Sequence, residues 1–304
     1  MKCWNLIALG PLFMVVVHGG AAMAQEIRVM TFNIRYANAR DGSNSWPNRK
    51  ELLFKTIEAF DPDLLGLQEV LPVQRDQVRE RFAKAYEYLG VGRDDGKEKG
   101  EAASVVFRRE RFEKGNDGHF WLSPTPEVAG SKGWDADLPR IVTWVELKDR
   151  KAEGKRLFFF NTHFDHKGAG ARLESATLVR KKINEIANNA PVIMTGDFNA
   201  PDGSPPYMRM MGWDWFDRFE YRLTDAFRVI HPTPTPEDFT PHPFTGKNDK
   251  PIRIDWILHT DPFRTVEAEI DRMHENGRYP SDHFPVKAVV EWVKPEAAAA
   301  SSRP

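Results

Sequence analysis

The sequence almost lacks cysteine: Cys3 is the only one in 304 residues. It lies in a segment with the features of a secretory signal peptide, in which a positively charged start precedes an apolar run, Leu6 to Val17, and the small residues Ala22-Met23-Ala24. We expect cleavage after Ala24, which leaves a mature chain without a thiol, a disulfide or a cysteine-ligated metal. A chain of about 280 residues buries a full core without disulfides, so this absence is compatible with export to the periplasm or the extracellular space.

The sequence also lacks a second long apolar run, an excess of charge of one sign, and any linker or repeat. The apolar run near the N-terminus is too short to span a membrane. The 43 Lys and Arg and the 44 Asp and Glu give a formal net charge of −1, which does not support a large nucleic-acid-binding surface but leaves room for a local basic patch. We expect one monomeric α/β domain over residues 25–294, and a disordered tail over 295–304, where apolar periodicity ends.

What the sequence does contain is a series of short apolar runs that end in polar side chains. Such runs are typical of buried β-strands, and the apolar spacing between them predicts helices that include Leu53 to Phe60, Val73 to Ala83 and Ala171 to Asn188. The polar residues at the strand ends are Asn33, Glu69, His163, Asp197 with Asn199, Asp255, and Asp282 with His283.

Three other stretches carry expectations that the structure can test. Arg108 to Leu122 resembles a β-hairpin, and the basic cluster of Arg180, Lys181 and Lys182 is expected to face mostly outward from its helix. Met208 to Tyr221 is rich in aromatic residues, which fits either core packing or a rim that contacts substrate. Both interpretations of this aromatic stretch stay open.

The stretch T-G-D-F-N-A, residues 195–200, places Asp197 and Asn199 two positions apart after an apolar run. In an extended chain this spacing sends both side chains to the same side. Such a pair could hold a metal-bound water or position a phosphate, and we expect neither group to titrate near pH 7. Taken alone, the stretch is more typical of a plain turn rich in Gly, Asp and Asn than of a functional pair.

The residue types at the strand ends point to a particular chemistry. Oxygen ligands without cysteine favour a hard divalent cation, Mg²⁺ or Mn²⁺ first and Ca²⁺ next. A histidine with a buried carboxylate nearby is the pattern of a general base, because the acid orients the ring and stabilises its protonated form. Together these parts suit the attack of water on a phosphorus ester.

Six motifs in order resemble those of the endonuclease/exonuclease/phosphatase superfamily, which has the fold of pancreatic deoxyribonuclease. The motifs are T-F-N-I-R, L-Q-E-V, N-T-H-F-D-H, G-D-F-N-A, R-I-D-W-I-L and S-D-H-F-P-V, and they span nearly the whole mature chain. The resemblance implies a four-layer α/β/β/α sandwich, in which two mixed β-sheets pack face to face with helices outside. It also places the active site at one end of the sheets.

The resemblance implies a division of roles among these residues. Glu69 is expected to be the principal metal ligand, with Asn33 beside it and Asp282 completing the metal side.

On the catalytic side, Asp197 would orient or deprotonate the attacking water, and Asn199 would hold a phosphate oxygen. His283 would pair with Asp255 and contact the phosphate, while His163 would be a second donor to the phosphoryl oxygens. Whether Asp197 or His283 acts as the base is left open.

Further substrate contacts are expected from residues beside these motifs. Some members of the superfamily have an acidic residue where this chain has Arg35, which argues for an added phosphate contact there rather than a second metal. His166 and Arg172, with Asp165, match a secreted bacterial branch and are expected either to line the pocket or to form ion pairs within their loop. Arg140 and Arg253 are expected to be structural.

These observations predict a secreted, divalent-metal-dependent phosphoesterase that acts on a small or lipid-linked substrate, a phosphodiester first and a phosphomonoester next. The alternatives are a secreted nuclease on DNA or RNA, a sphingomyelinase-like lipid phosphodiesterase and a non-catalytic binding protein on the same fold. A nuclease would need a basic groove beside the site. The lipid enzyme rests only on the aromatic stretch.

Overall fold

The computed structural model describes residues 26–213 and 221–293. The predicted signal peptide and tail, and most of the aromatic stretch that begins at Met208, lie outside these residues. The strands are β1 (Glu26–Asn33), β2 (Leu64–Val70), β3 (Tyr86–Leu89), β4 (Ala102–Arg108), β5 (Phe112–Trp121), β6 (Ile141–Asp149), β7 (Lys155–His163), β8 (Val192–Asp197), β9 (Thr224–Asp225), β10 (Asp255–His259), β11 (Phe263–Ile270) and β12 (Val286–Trp292). The α-helices are α1 (Trp46–Phe60), α2 (Pro72–Phe82), α3 (Ala169–Ala187), α4 (Pro205–Met211) and α5 (Ala226–Ile230), and short 3₁₀ helices cover Gly42–Asn44 and Arg150–Ala152.

The strands form two mixed sheets of six strands each. The first sheet has the order β11-β12-β1-β2-β4-β3, and the second has the order β5-β6-β7-β8-β10-β9. The pairs β1–β2 and β7–β8 are parallel, and the other pairs are antiparallel. Over the described residues, no helix combines the length and the apolar character that a bilayer span requires.

The apolar side chains separate into three cores, which makes four layers of structure. Between the sheets, Ile27 and Leu64 of the first sheet lie in one cluster with Phe159 and Ile193 of the second. The outer face of the first sheet packs against α1 and α2, and the outer face of the second packs against α3 and α4. The predicted α/β/β/α sandwich is therefore confirmed.

A buried polar layer interrupts the apolar core between the sheets. Asn161 of β7 donates from Nδ2 to the carbonyl oxygens of Leu67 and Ser104, and its Oδ1 accepts from Gln68 Nε2 at 2.7 Å. Gly66 of β2 faces this layer, where a Cβ atom would lie 2.0 Å from Thr195 Oγ1 and 2.5 Å from Asn161 Oδ1. Glycine is therefore required at this position, because the two sheets approach each other here through hydrogen-bonding side chains.

The first predicted helix shows why its end could be located from sequence. It begins after Ser45 with Pro47 in the first turn and ends at Phe60, where Asp61 takes a left-handed conformation before Pro62. Proline suits the first turn of a helix, and the residue before a proline is disfavoured in helical conformation. Local chemistry thus determines both ends of α1.

Two local predictions were wrong. Arg108 to Leu122 does not form a hairpin: β5 runs through it as one strand paired with β6, and a register shift between Lys114 and Asp117 takes up the turn-like G-N-D-G.

Arg180 does not face outward from α3. It is fully buried and donates to the carbonyl oxygens of Met210 and Tyr221, which ties α3 to the end of α4 and the segment that follows it.

Asp255 lies at a strand end, as the sequence predicts, because β10 begins at this residue.

Candidate active site

A cleft of about 350 Å³ opens at one end of the two sheets. Its walls carry an unusual concentration of charged and hydrogen-bonding side chains for so small a space. The lining residues are Arg35, Tyr36, Glu69, Arg93, Glu101, Leu138, Arg140, His163, His166, Asp197, Asn199, Asp282 and His283.

Strand alternation explains why polar side chains collect at this end. Along β7, Leu157 and Phe159 face the core between the sheets, so Asn161 and His163 face the same way. On β8 the same alternation takes Ile193 inward and, four residues later, Asp197. On both strands, the side chains that face the other sheet are apolar in the interior of the sandwich and polar at the end where the cleft lies.

Strand register then brings three of these residues side by side. His163 on β7 pairs with Asp197 on β8, and Asp197 pairs in turn with Asp255 on β10. Since β10 runs antiparallel to β8, the first residue of β10 meets the last residue of β8. Residues nearly sixty positions apart in sequence thus occupy neighbouring positions in one sheet.

Glu69 reaches the cleft through an exception to this alternation. Leu65 and Leu67 of β2 face the outer core, so a regular strand would send Glu69 outward as well. Instead Glu69 has a φ of 62°, and the pairing of β2 with β4 shifts between Leu67 and Val70. The irregularity turns the carboxylate inward, where Oε1 accepts from Asn33 Nδ2 and Oε2 accepts from the Tyr36 amide.

Asp197 and Asn199 both face the cleft, but not by the extended geometry that their spacing predicts. β8 ends at Asp197, and Asn199 has a left-handed φ of 47°. The Asn199 amide donates to Asp197 Oδ1 at 2.9 Å, which closes a turn of the kind that Asp and Asn favour. Asp197 and Asn199 therefore form a turn, as one interpretation predicts, and both face the cleft, as the other predicts.

Burial makes Asp197 a poor acid for a carboxyl group. Desolvation, followed by the charge of the neighbouring Asp255 carboxylate, raises the pKa of Asp197 to about 7, against the opposing effect of His283. The expectation that this group does not titrate near pH 7 is therefore wrong, because the sequence did not reveal how deeply the carboxylate is enclosed. A group with a pKa near neutrality is suited to accept and release a proton.

His283 and Asp255 form a hydrogen-bonded pair. His283 Nδ1 lies 2.8 Å from Asp255 Oδ2, and His283 Nε2 lies 3.9 Å from Asp197 Oδ2. Burial lowers the pKa of His283, but Asp255, Asp197 and Asp282 together outweigh this effect and hold it well above its ordinary value. His283 is therefore a cation in this arrangement, stabilised by the carboxylates around it.

His163 has the opposite character. Burial, followed by the charges of Arg140, Arg93 and His283, lowers its pKa well below the ordinary value, so the ring is neutral. His163 Nε2 lies 3.0 Å from Asn199 Nδ2, which also donates to the carbonyl oxygen of Phe164. The same ring nitrogen lies 3.4 Å from Asp197 Oδ2, so Nε2 faces the reaction centre, whereas Nδ1 is buried without a partner.

The predicted metal side consists of Glu69, Asp282 and Asn33. Burial raises the pKa of Asp282, His283 lowers it, and the Glu69 carboxylate raises it again, so the two acids repel each other across a small distance. Asn33 holds Glu69 and Asp197 together by donating from Nδ2 to both, while its Oδ1 accepts from the Arg35 amide. The oxygen donors fit Mg²⁺ or Mn²⁺, whose charge would offset the repulsion.

A group other than the predicted metal side has the spacing of metal ligands. Among the described residues, atoms of Asp197, Asp255 and His283 lie within 4.8 Å of one another. In this group His283 and Asp255 already share a hydrogen bond, so two of the three candidates are engaged as a charged pair. The structure does not single out the predicted set of Glu69, Asn33 and Asp282, and their role as ligands stays a prediction.

The predicted phosphate contacts have different surroundings from one another. Arg35 lines the cleft, but its guanidinium donates twice to Asp41 and lies 3.5 Å from Asp282 Oδ2. His166 lines the cleft with Nδ1 lying 3.0 Å from Arg140 Nη2. Arg172 is not among the lining residues, because its guanidinium donates to the carbonyl oxygen of Asp165 and closes the loop before α3.

Two charged lining residues, Arg93 and Glu101, were not predicted from the sequence, and Arg140 was expected to be structural. Arg93 and Glu101 form a bidentate ion pair with distances of 2.8 and 3.0 Å, and both lie in a charged loop without an apolar pattern. Arg140 immediately precedes β6, and the nearby polar strand ends could have drawn attention to it.

Solved structures of similar proteins cover most of the chain. An endonuclease/exonuclease/phosphatase from Bacteroides vulgatus is 36% identical, with a TM-score of 0.78 over 88% of this chain and 99% of that one. A mannosyl-6-phosphatase from Bacteroides thetaiotaomicron VPI-5482 is 34% identical, with a TM-score of 0.73 over 88% of this chain and 100% of that one.

Curated relatives match less of their own length. The uncharacterized protein L388 of Acanthamoeba polyphaga mimivirus is 28% identical over 163 residues, which cover 52% of this chain and 60% of the relative. The chain spans less than two thirds of the length of this and the next curated relatives that it matches.

A family model matches most of the domain and includes the site. The model of the endonuclease/exonuclease/phosphatase family covers residues 30–283, from the strand that ends at Asn33 to the histidine that pairs with Asp255. The fold, the solved structures and the order of the motifs agree with this match. The chain therefore belongs to the endonuclease/exonuclease/phosphatase family, whose members are hydrolases of phosphoric ester bonds.

Proposed function

We propose that the protein is a divalent-metal-dependent phosphoesterase that hydrolyses a small phosphate ester by in-line attack of water. The observation that carries the proposal is the meeting of Asp197, the His283–Asp255 pair and the Glu69 and Asp282 carboxylates around one cleft of about 350 Å³. Such a set provides a base, a cation for the phosphate and a place for a hard metal.

Different residues of the chain have different roles in the proposed reaction. Asp197, with a pKa of about 7, takes a proton from the attacking water, and Asn33 and the Asn199 amide hold its carboxylate in place. Protonated His283 and neutral His163 donate to the phosphoryl oxygens, where negative charge develops, each through the Nε2 atom that lies toward Asp197. A divalent cation held by Glu69 and Asp282 would add positive charge at the same oxygens.

The size of the cleft and one relative support a small substrate with a terminal phosphate. A cleft of about 350 Å³ accommodates a phosphorylated monosaccharide more readily than a polymer. The similar protein from Bacteroides thetaiotaomicron is a mannosyl-6-phosphatase, which makes a sugar phosphate the first candidate. We therefore place the phosphomonoester before the phosphodiester that the sequence favoured.

The alternative functions predicted from the sequence can each be tested. A nuclease remains compatible with the family, and DNA and RNA belong in the substrate panel for this reason. The lipid phosphodiesterase depends on an aromatic stretch that lies mostly outside the described residues. The convergence of the predicted catalytic residues argues against a binding protein without activity.

The N-terminal segment supports export to the periplasm or the extracellular space as part of the proposal.

The test is hydrolysis of p-nitrophenyl phosphate and bis-p-nitrophenyl phosphate by the purified protein, with Mg²⁺ or Mn²⁺ and with a chelator. We expect activity that the chelator abolishes and added metal restores, and a loss of about a hundredfold or more in Asp197→Asn. Asp261→Asn is the matched control, since Asp261 is exposed and lies beyond the opposite end of β10. Full activity in Asp197→Asn, or in the chelator, would contradict the proposal.

A further inference from the structure

One wall of the cleft carries two buried arginines that the reaction described above does not use. Arg93 and Arg140 are 7% and 3% exposed, and both line the cleft that holds Asp197 and His163. We call this pair the arginine wall. Burying a guanidinium costs free energy unless its N–H groups find acceptors, so a buried arginine at a ligand cleft needs an explanation.

Arg140 is only partly satisfied by the protein. Its Nη2 lies 3.0 Å from His166 Nδ1, and its Nε lies 3.6 Å from Asp165 Oδ2, which is beyond hydrogen-bond distance. The buried Nε and Nη1 atoms have no acceptor. Among the described residues, Arg140 alone leaves a buried terminal nitrogen of its guanidinium without a hydrogen-bond partner.

The surroundings hold Arg140 against the cleft. The Asp165 carboxylate accepts from four backbone amides, those of Asp137, Leu138, Lys167 and Gly168, and so fixes the loops on both sides of Arg140. Asp165 is therefore a positioning residue whose oxygens are occupied by the backbone. Arg140 Nε thus forms an ion pair with Asp165 Oδ2 at 3.6 Å without a hydrogen bond, while the residue lines the cleft.

Arg93 is held in a similar way. Glu101 binds its two terminal nitrogens, and the carbonyl oxygen of Arg93 accepts from Trp121 Nε1 at 2.6 Å. Its Nε atom is buried without an acceptor. The charges of both arginines act on the reaction centre, because they lower the pKa of His163 together with its own burial.

We propose that the arginine wall, chiefly Arg140, selects a terminal phosphate over a phosphodiester, an inference that rests on the proposed function. A phosphomonoester dianion has three unsubstituted oxygens and two charges, whereas a diester has two such oxygens and one charge. His283, His163 and the metal side would together contact two of the unsubstituted phosphate oxygens. Arg140 Nη1, which has no acceptor, and the second N–H of Nη2 can take a third, in the paired geometry that guanidinium and phosphate favour.

The experiment compares esters that share one leaving group, p-nitrophenyl phosphate and bis-p-nitrophenyl phosphate, in wild type, Arg140→Gln and Arg140→Lys. For Arg140→Gln we expect kcat/KM to fall by about a hundredfold on the monoester and by less than about threefold on the diester. Arg140→Lys keeps the charge but loses the paired geometry, so its loss should be intermediate and again larger on the monoester. Equal losses on both esters, or no loss on the monoester, would overturn the inference.

Lys167→Gln is the matched control, because it removes a positive charge from the same loop at a side chain that is 65% exposed and pairs with Asp137. We expect it to leave both activities within about twofold of wild type. If Arg140→Gln does not fold, as judged by circular dichroism, Arg140→Lys alone decides between the two outcomes.

A binding measurement separates this inference from the proposed function. Calorimetry with inorganic phosphate and with dimethyl phosphate should show phosphate binding that weakens by about tenfold or more in Arg140→Gln but not in Lys167→Gln. If the wild-type protein hydrolyses neither ester, the proposed function fails. The calorimetric measurement of phosphate binding still supports or overturns the role of Arg140. Unchanged phosphate affinity in both variants would overturn it.

Discussion

The two histidines of the site show how surroundings assign opposite roles to one side chain. Both are buried, but His283 has Asp255 at 2.8 Å and other carboxylates around it, whereas His163 faces the charges of Arg140 and Arg93. Carboxylates stabilise the protonated ring of His283, and the arginines oppose protonation of His163. One ring is therefore a cation, and the other is neutral.

The pairing of His283 with Asp255 predicts a change in pH dependence. In Asp255→Asn the pKa of His283 should fall from its raised value, because the nearest carboxylate that favours the protonated ring is gone. A group with a lowered pKa loses its proton at lower pH, so the alkaline limb of kcat/KM should move to lower pH. We also expect a loss of about a hundredfold or more at pH 7.

A pH profile of kcat/KM from about pH 5 to 10 on p-nitrophenyl phosphate checks this prediction. Circular dichroism of both proteins controls for folding. An alkaline limb at the same pH in wild type and Asp255→Asn would show that His283 does not act as a cation controlled by Asp255.

Strand geometry explains where the functional side chains lie. Regular alternation along β7 and β8 carries His163 and Asp197 into the space between the sheets, in the same rows as the apolar core. β2 is different, because the left-handed conformation of Glu69 reverses the direction that alternation would give. A non-glycine residue in this conformation stores strain, which here aims a carboxylate at the cleft.

Replacing Glu69 with glycine or alanine separates the side chain from the backbone strain. Both variants should lose activity, since both remove the carboxylate. Glu69→Gly should be more stable than Glu69→Ala by about 1 kcal/mol, because glycine adopts the positive φ without a Cβ penalty. Chemical denaturation in the presence of a chelator measures the difference without a contribution from bound metal. Equal stability of the two variants would show that the strand end is not strained.

The two sheets are held together at both ends by polar contacts of different kinds. At the open end lies the cleft. At the other end the buried Arg111 guanidinium binds Asp63, which precedes β2 of the first sheet, and binds Asp149 of β6 in the second sheet through Nε and Nη2. Asp149 also accepts from Trp292 Nε1 at 3.0 Å. This network closes the sandwich far from the reaction centre.

Arg111→Met should therefore lower the stability of the whole molecule without changing the chemistry. Removing the cation leaves Asp63 and Asp149 buried without their partner, which should reduce the free energy of unfolding by about 3–5 kcal/mol. The exposed pair of Lys148 and Glu113 offers the control, and Lys148→Met should change stability by less than about 0.5 kcal/mol.

Thermal and chemical denaturation measure the stability of these two variants. At a temperature where Arg111→Met stays folded, its kcat per folded molecule should match that of wild type. A change in kcat with normal stability would mean that this network acts on the active site rather than on the packing of the two sheets against each other.

The sequence by itself determined which polar residues end the strands, the order of the motifs and thus the family. These features are local: apolar runs, turn residues such as Asp61-Pro62 and short motifs can be interpreted without knowing what they contact. Asp197 and Asn199 were found in this way, and so was His283. The four-layer fold followed from the resemblance, and the structure confirmed it.

Only the tertiary structure decided what each of these residues faces. The pKa of Asp197, the neutrality of His163, the inward turn of Glu69 and the burial of Arg180 all depend on contacts between segments distant in sequence. Arg93 gave no signal of a ligand role in the sequence, and Arg140 gave only its position beside a strand, because an arginine in a loop is ordinarily solvated. Packing removed water from both and left buried N–H groups without acceptors, and burial of this kind is a property of the assembled sheets and loops.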